Sequence, residues 1–289
     1  PEYIGITTKP YVNIGRMRNS GWDSSLQYDQ KIGQVNFSAM GNFTFARNVI
    51  EDQDQPDYIE KYMNRTGQAR WQTFGYVSDG LFKDEADIAT SPDQSALGEV
   101  RPGDIKYKDL NNDGVIDSKD VKAIGYTDVP EIVYGFGVSA QWKGFDVSVF
   151  FQGNAHVSFS INSSMVRGFT EPKMAANNVF SDIYGNYWTE SNTDAKYPRL
   201  TTTEATNNNQ SSDFWLVNGR YIRLKNAEFG YTFPKRLIQK MRLSQLRVFV
   251  SGTNLLTFAP FKLWDPDLQT GASNYPNTRV ANIGLNIGF

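Results

Sequence analysis

The 289-residue sequence has no cysteine, a single histidine and no excess of either charge. The missing cysteines exclude disulfide bridges and thiolate metal sites. His156 alone cannot form a histidine metal cluster, and without a visible nucleophile it does not indicate an acyl-transfer triad. With 29 Lys and Arg against 31 Asp and Glu, the chain has no basic character for nucleic acid. We therefore predict a protein that does not bind nucleic acid, while the residue counts do not exclude an enzyme that uses a pair of carboxylates.

Long apolar runs are also missing, which excludes a transmembrane helix but leaves membrane-spanning strands open. The chain begins at Pro1 without an initiator Met or a signal peptide, so we expect it to be part of a longer protein. Aromatic residues are abundant, with 19 Phe, 15 Tyr and 6 Trp beside 24 Gly. Aromatics and glycines in alternating order favour β structure.

Seven segments alternate apolar and polar residues over about the ten residues with which a tilted strand crosses a bilayer. Their polar sides are rich in Asn, Ser, Gln and Gly, as expected for a watery lumen, although a soluble sandwich can also show one apolar face. Aromatic side chains crowd one end of the segments, as in an interfacial girdle. These are Tyr28, Trp142, Phe145, Tyr231, Phe233 and Phe289. We predict an all-β fold, an antiparallel transmembrane β-barrel segment of about seven strands.

The connections between these segments alternate between short and long. The long ones cover 51–130, 158–220 and about 259–278, whereas the intervening links are short. Outer-membrane barrels have short periplasmic turns and long extracellular loops. The alternation therefore predicts that the long loops lie outside the cell.

The first long link contains the stretch DLNNDGVIDSKD, residues 109–120, which has the spacing of a calcium-binding loop. Gly114 supplies the sharp turn at loop position 6, and oxygen ligands surround it in register. The predicted ligands are Asp109, Asn111, Asp113, the carbonyl of Val115, Asp117 and Asp120. Position 12 is Asp120 where calcium sensors usually have the longer Glu, while the alternative is a polar turn without an ion.

A calcium sensor would need helices on both sides of this loop, and the flanking sequence does not supply them. Residues 101–110 contain a Pro-Gly turn and then alternation typical of a short strand, and only 118–124 could form a brief helix. A second loop of this type is absent from the sequence. We therefore predict a structural calcium ion that orders part of the long link, because 80 residues without a core are costly to order.

Aromatic residues in the long links are candidates for stacking on a ligand, because binding residues concentrate on exposed loops. The candidates are Tyr187, Trp188, Trp215 and Trp264. The alternative is that they pack the loops onto one another or against a partner protein.

Several motifs in the same order resemble the C-terminal part of SusC/RagA-type TonB-dependent outer-membrane transporters of Bacteroidetes. They are NIGRMRNSGWDSSLQYD, FGYVSDGLF, PGDIKYKDLNNDGVIDSKD, YGFGVSAQWKGFDVSVFFQG, YIRLKNAEFGYTFPKRL and LRVFVSGTNLLTF. The resemblance implies the last seven strands of a 22-stranded barrel, a SusD-like surface lipoprotein as a lid, and energy from the TonB complex. The resemblance also implies that the protein is not an enzyme and takes part in the import of oligosaccharides or peptides. The terminal residues Ile283, Leu285, Ile287 and Phe289 resemble the signal that barrel-assembly machinery recognises.

Two other functions compete with this interpretation. A soluble calcium-dependent carbohydrate-binding or dockerin-like module would explain the calcium loop, and it predicts solubility without detergent. A surface glycoside hydrolase would use two of the many carboxylates, and it predicts hydrolysis that disappears when one of them is replaced.

Overall fold

The computed structural model describes residues 13–162, 164–167, 179–271 and 274–289, so Pro1 and part of the second long link lie outside the described residues. Its strands are β1 Arg16–Ile32, β2 Val35–Asp52, β3 Phe74–Gly75, β4 Ser78–Leu81, β5 Ile105–Tyr107, β6 Lys122–Ala123, β7 Ile132–Trp142, β8 Phe145–Ala155, β9 Ser158–Ser160, β10 Leu216–Asn218, β11 Tyr221–Thr232, β12 Gln245–Phe258 and β13 Val280–Gly288. Its α-helices are α1 Glu85–Thr90, α2 Ser164–Arg167 and α3 Lys235–Ile238. Single 3-10 turns occupy Lys61–Met63, Ser95–Leu97, Ser118–Asp120, Thr206–Asn209, Gln239–Met241 and Pro266–Leu268. Among the described residues, no helix is long and apolar enough to cross a membrane.

Seven long strands form one antiparallel sheet in the order β1-β2-β7-β8-β11-β12-β13. Each strand pairs with the next long strand along the chain, so the sheet is an uninterrupted meander. The prediction of seven antiparallel strands is confirmed.

Two of the short connections are two-residue hairpin turns. Lys143 and Gly144 both have positive φ, at 47° and 92°, as a type I′ turn requires. A Cβ on Gly144 would lie 2.6 Å from the carbonyl oxygen of Thr232, so only glycine fits there. The third short connection, 233–244, contains α3.

The strand register places the predicted apolar residues side by side across the whole sheet. Ile32 pairs with Val35 at one end, and the row continues through every strand. This apolar row is Ile32, Val35, Trp142, Phe145, Tyr231, Val248 and Leu285. A polar row lies on the other face, namely Asp29, Ser38, Ser139, Ser148, Glu228, Ser251 and Asn282. Because side chains alternate along a strand, the sheet has one apolar and one polar face.

A β-bulge interrupts this alternation in β11. Leu224 and Asn226 pair with consecutive residues of β8, so Lys225 is an extra residue relative to that neighbour. An extra residue moves the side chains beyond it to the opposite face. Arg223 therefore points to the polar face, where its Nε donates to Thr257 Oγ1 at 3.0 Å. The bulge explains the irregular pattern of this strand in the sequence.

The first two strands are longer than the predicted ten residues. β1 contains 17 residues and β2 contains 18. Beyond the apolar alternation, Arg16 and Arg18 lie 3.1 and 3.3 Å from the two carboxylate oxygens of Glu51. Backbone pairing and these ion pairs continue the hairpin past its apolar part.

The three long connections, 53–131, 156–220 and 259–279, pack together into what we call the folded loop unit. Its core contains residues from all three connections: Tyr76, Leu81, Ile105, Tyr107, Ile116, Phe159, Ile161, Val166, Ile183, Tyr197, Trp215 and Phe261. The premise that the first long link has no core is wrong, since Ile105 and Ile116 are fully buried. Its apolar residues are scattered between turns, and their partners come from distant parts of the chain.

Candidate functional site

The loop 109–120 has the backbone shape of a calcium-binding loop. The carboxylate of Asp109 accepts hydrogen bonds from the backbone N–H groups of Asn112 and Gly114, at 2.6 and 2.7 Å. Asn112 and Gly114 have φ of 61° and 85°, in the left-handed region. Glycine and asparagine are the residues that adopt this conformation most readily. The loop is therefore closed around its first aspartate.

Asp120, at loop position 12, is fully buried. Its two carboxylate oxygens accept from the backbone N–H groups of Leu110 and Asp117, at 2.7 and 2.9 Å. The carboxylate thus joins the start of the loop to the 3-10 turn at its end. This position suits the shorter Asp side chain, because the bonded N–H groups lie close to its own backbone.

Lys119 places a positive charge among the loop oxygens. Its Nζ lies 3.0 Å from Asp113 Oδ2 and 3.5 Å from Asp117 Oδ2. Hydrogen bonds from the Asn111 amide and from Lys119 lower the pKa of the Asp113 carboxyl, and the Asp113 bond raises the pKa of Lys119. The Asp113 carboxyl therefore stays ionised at neutral pH.

The donor set of the loop fits a hard cation, since carboxylate, amide and carbonyl oxygens are the ligands calcium prefers. In the present arrangement, however, the described residues contain no group of three or more His, Cys, Asp or Glu side chains placed to hold a metal ion. Lys119 and the Asn111 amide both donate to Asp113 Oδ2 instead. A calcium ion would have to displace the Lys119 ammonium and turn the Asn111 side chain.

The loop is anchored to the rest of the folded loop unit by Ile116, at loop position 8. Its side chain is fully buried, and its backbone N–H donates to the carbonyl of Asp93 at 2.8 Å. Asp93 N–H in turn donates to the carbonyl of Gly114 at 3.0 Å. The hydroxyl of Tyr62 donates to the Lys119 carbonyl at 2.8 Å, and burial and nearby carboxylates raise the pKa of Tyr62 to about 12. Loop 109–120 is thus held in place by its hydrogen bonds to Asp93 and Tyr62.

The aromatic residues proposed to stack on a ligand have different surroundings. Trp215 is a core residue, 2% exposed, whose indole N–H donates to the carbonyl of Asn208 at 2.7 Å. The interpretation of Trp215 as an exposed stacking surface is therefore wrong, because both long links close over it. Trp188 packs against Gly103, where a Cβ would come within 2.5 Å of the ring. These two tryptophans hold the loops together.

Tyr187 and Trp264 are only partly buried and pack at the margin of the core. The indole N–H of Trp264 donates to the carbonyl of Gln269 at 2.7 Å, and its ring meets Phe261 edge-on with centroids 4.7 Å apart. Trp264 also lines an open cavity of about 420 Å³ together with Arg223 and Lys262. Trp264 is therefore a partly buried candidate at a space that a ligand can enter.

A second open cavity, of about 340 Å³, lies between the second and third long connections. Its walls are mainly apolar, with a few charged groups, namely Ile161, Asp182, Lys196, Tyr197, Phe214, Trp215, Val217, Asn218, Pro260, Phe261, Lys262 and Leu263. Hydrogen bonds from Lys196 and Tyr197 lower the pKa of the Asp182 carboxyl. An apolar cavity with a few polar groups is the usual form of a small-ligand site.

A buried polar network joins the first two long connections, and it was not predicted from the sequence. The Gln94 amide donates to Asn207 Oδ1 at 2.9 Å, and the Asn208 amide donates to Asp104 Oδ1 at 2.8 Å. The Arg199 guanidinium lies 2.8 Å from the same carboxylate, which is fully buried. The run of asparagines at 207–209 was the available signal. Buried polar groups that find partners in this way specify one arrangement of the loops.

Arg223 ties the wall of the sheet to the third long connection. Its guanidinium, 1% exposed, contacts the carboxylate of Asp265 and lies 2.9 Å from Asp267. The hydroxyl of Tyr221 also contacts Asp267. Arg223 thus lies beneath the third long connection.

His156 lies at the junction of the sheet and the folded loop unit. Its Nδ1 is 3.1 Å from Glu131, which also accepts two hydrogen bonds of 2.7 Å from Arg47. Its ring stacks on Tyr126 with centroids 4.6 Å apart. Through these contacts His156 links the end of the sheet to the first long connection.

The predicted assembly residues lie on the last strand. Ile283, Leu285 and Ile287 are 83%, 60% and 49% exposed on β13, and Phe289 is 95% exposed after it. Their side chains share the apolar face of the sheet through the pairing with β12. Their recognition by assembly machinery stays a prediction.

No family model matches the chain. It is 28% identical to TonB-dependent receptor P3 of Formosa agariphila and 26% identical to TonB-dependent receptor P26 of the same organism, and both alignments cover all of this chain. The chain is homologous to TonB-dependent receptors. It spans 30% and 31% of the length of these two receptors, so most of such a receptor lies outside this sequence.

The fold of this TonB-dependent receptor homologue is also found in solved structures. It superimposes on a chain of the RagAB peptide transporter with a TM-score of 0.71 and 22% identity, covering all of this chain and 31% of that one. A RagAB peptide importer in an open-open state gives a TM-score of 0.71 and 23% identity. The similarity covers both the sheet and the folded loop unit. The predicted resemblance to RagA-type receptors is confirmed.

Proposed function

We propose that this chain is part of the barrel of a TonB-dependent importer in a bacterial outer membrane, with its long loops outside the cell. The observation that carries the proposal is the sheet, whose exposed apolar row runs in register across seven strands while all long connections leave from one end. In water such a face would be an unusually large exposed apolar patch. In lipid it is the expected outer surface of a barrel wall. This argues against the alternative of a soluble calcium-dependent module.

The proposed ligand is an oligosaccharide or a peptide, taken up through the complete barrel. Support comes from the relatives, which are TonB-dependent receptors rather than enzymes, and from the structural neighbours described as a peptide transporter. The open cavities beside Trp264 and Tyr197 offer aromatic rings and charged groups to either ligand class. The partners we propose are a SusD-like lipoprotein over the folded loop unit and the TonB complex on the opposite side of the membrane.

Uptake by cells tests this function. We expect cells lacking the complete gene to stop accumulating one labelled pool, either peptides or oligosaccharides, and cells lacking TonB to show the same loss. Complementation with the complete gene should restore uptake. Normal accumulation of both pools in the deletion strain would contradict the proposal.

We further propose that loop 109–120 binds one calcium ion with a structural role. The oxygen-rich donor set and the closed backbone support this, and the ion would supply the positive charge that Lys119 supplies in the present arrangement. In the complete protein, Asp113→Ala should weaken calcium binding at least tenfold in calorimetry. Lys119→Gln should strengthen it several-fold, because calcium no longer displaces an ammonium group. Asp79→Ala, outside the loop, is the control that should change nothing.

Two results would contradict the calcium site. One is equal calcium binding by Asp113→Ala and the unaltered protein, which would leave the loop as a polar turn. The other is weaker binding by Lys119→Gln, which would mean that the ammonium group does not compete with calcium. If the site exists but removal of calcium leaves loop proteolysis unchanged, the structural role is wrong.

A further inference from the structure

The two ends of the sheet carry opposite charge. The short connections, with the residues next to them, cover 30–34, 143–144 and 234–244, and they contain six Lys or Arg and no Asp or Glu. The first long link, 53–131, contains sixteen Asp or Glu against nine Lys or Arg, a formal net charge of −7. A charge difference of this size sets up different electrostatic potentials at the two ends.

Most of the positive charge lies in residues 234–244, which we call the basic turn. Its four cationic side chains are exposed, and none of them forms an ion pair with the residues that the structure describes. They are Lys235, Arg236, Lys240 and Arg242. Arg242 ends the 3-10 turn in the left-handed conformation, with φ of 58°.

The basic turn also exposes two large apolar side chains among these charges. Leu237 is 60% exposed and Met241 is 64% exposed, whereas Ile238 between them is buried at 2%. The carbonyl of Ile238 accepts a hydrogen bond from Leu243 N–H at 3.3 Å. Ile238 is therefore the buried side chain of the turn, whereas Leu237 and Met241 remain exposed.

The basic turn continues the aromatic band at this end of the sheet. Phe233 directly precedes it, and its ring lies 5.0 Å from Tyr231, which lies 4.6 Å from Phe145. In the neighbouring hairpin turn, Lys143 Nζ lies 5.0 Å from the centre of the Trp142 ring. Aromatic rings beside lysines are typical of the level where a membrane protein meets lipid headgroups.

We propose that the basic turn binds the phosphate groups of anionic phospholipids, with Leu237 and Met241 inserted between their acyl chains. Clustered Lys and Arg next to a membrane-spanning segment attract anionic lipids, and adjacent apolar side chains add insertion into the headgroup boundary. This inference rests on the proposed membrane location of the sheet. It needs no assumption about the ligand that is transported.

Native mass spectrometry of the complete protein in a zwitterionic detergent tests the inference. The unaltered protein should retain phosphatidylglycerol at least tenfold more strongly than phosphatidylcholine, and added salt should weaken this preference. The variant Lys235→Gln/Arg236→Gln/Lys240→Gln should retain phosphatidylglycerol at least tenfold less, with phosphatidylcholine unchanged. The matched control Lys61→Gln/Lys83→Gln/Arg279→Gln removes two Lys and one Arg from the long-loop end.

The control variant should retain phosphatidylglycerol within twofold of the unaltered protein. The inference is overturned if the unaltered protein does not prefer phosphatidylglycerol, if the basic-turn variant matches it, or if the control loses as much lipid. A heat-dependent shift in gel migration checks that each variant is folded, and the salt dependence of the unaltered protein tests the idea without any variant. Absence of the protein from the outer membrane would instead contradict the proposed function.

Discussion

The seven-stranded sheet and the folded loop unit distribute apolar residues in opposite ways. In the sheet, large apolar side chains such as Leu26 and Ile283 are 74% and 83% exposed, while the loop unit buries Ile105 and Trp215 almost completely. Both regions belong to the same chain. The proposed membrane location explains the difference, because side chains facing lipid gain nothing by burial, whereas loops in water are stabilised by removing apolar area from it.

The largest expected effect is the loss of Trp215 from the core of the loop unit. Trp215→Ala should cost about 3–5 kcal/mol of local stability, since it removes a large buried side chain and leaves a cavity. Hydrogen exchange should rise in the long connections and stay unchanged in β7 and β8. Leu26→Ala in detergent is the control, with an expected change below about 0.5 kcal/mol. Equal effects of the two substitutions would remove the distinction between the regions.

The next effect concerns Arg223, which joins the two regions. Arg223→Met should cost about 3 kcal/mol, because Asp265 and Asp267 lose the positive charge that compensates them. Limited proteolysis should cut the third long connection much faster, while the β11 and β12 amides keep their protection. Adding Asp265→Asn and Asp267→Asn to this variant should recover part of the loss. An unchanged cleavage rate in Arg223→Met would mean that packing alone holds this loop.

A smaller effect is expected from the buried polar network between the first two long connections. Asn207→Leu removes an acceptor of the Gln94 amide and one of the two side-chain donors to the carbonyl of Ile105, which should cost about 1–3 kcal/mol. The effect of Gln94→Leu/Asn207→Leu should differ from the sum of the single substitutions, because the two side chains share a hydrogen bond and both donate to the Ile105 carbonyl. Thermal denaturation of the loop unit, followed by tryptophan fluorescence, measures this. Strict additivity would show that the two side chains are not coupled.

The smallest effect is a dependence on pH at Asp182. Its carboxylate lies 2.8 Å from Lys196, and hydrogen bonds from Lys196 and Tyr197 lower its pKa. A lowered pKa means that the stabilisation is present at neutral pH and is lost as the pH falls through the folded value. Asp182→Asn should cost less than about 1 kcal/mol at pH 7, because the pair is largely solvated. The two proteins should converge as the pH falls through the folded pKa, which lies below the ordinary Asp value of about 3.9.

Convergence can be followed by the melting temperature of the loop unit at several pH values. A difference between Asp182→Asn and the unaltered protein that does not shrink as the pH falls from 7 to about 2 would contradict the assignment, since protonation of the carboxyl removes its interaction with Lys196. The strands should show no such dependence, which again separates the two regions.

The strands and their order were predictable because one physical rule governs each of them. Alternation with period two marks the strands, and glycine at a turn requiring positive φ marks the hairpin at Gly144. The calcium-like loop was recognisable for the same reason, since its oxygen atoms and Gly114 recur at fixed spacing. These are local patterns, and distant residues do not change them.

The core of the loop unit was not predictable in this way. Trp215 looked like an exposed loop aromatic, but it belongs to a core that residues from all three long connections build. Likewise the bulge at Lys225 depends on how β11 pairs with β8 and β12, and a single extra residue decides which face Arg223 occupies. Such features depend on pairing and packing between segments that carry no common pattern.

The sequence by itself determined the seven strands, their apolar and polar faces, the alternation of short and long connections, and the position of the calcium-like loop. Only the tertiary structure decided that the long connections share one core, that Trp215 is inside it, and that Arg223 lies beneath the third connection. The physical reason is the distance along the chain over which each effect acts. Alternation and turn geometry act over a few residues, whereas burial depends on which distant side chains exclude water together.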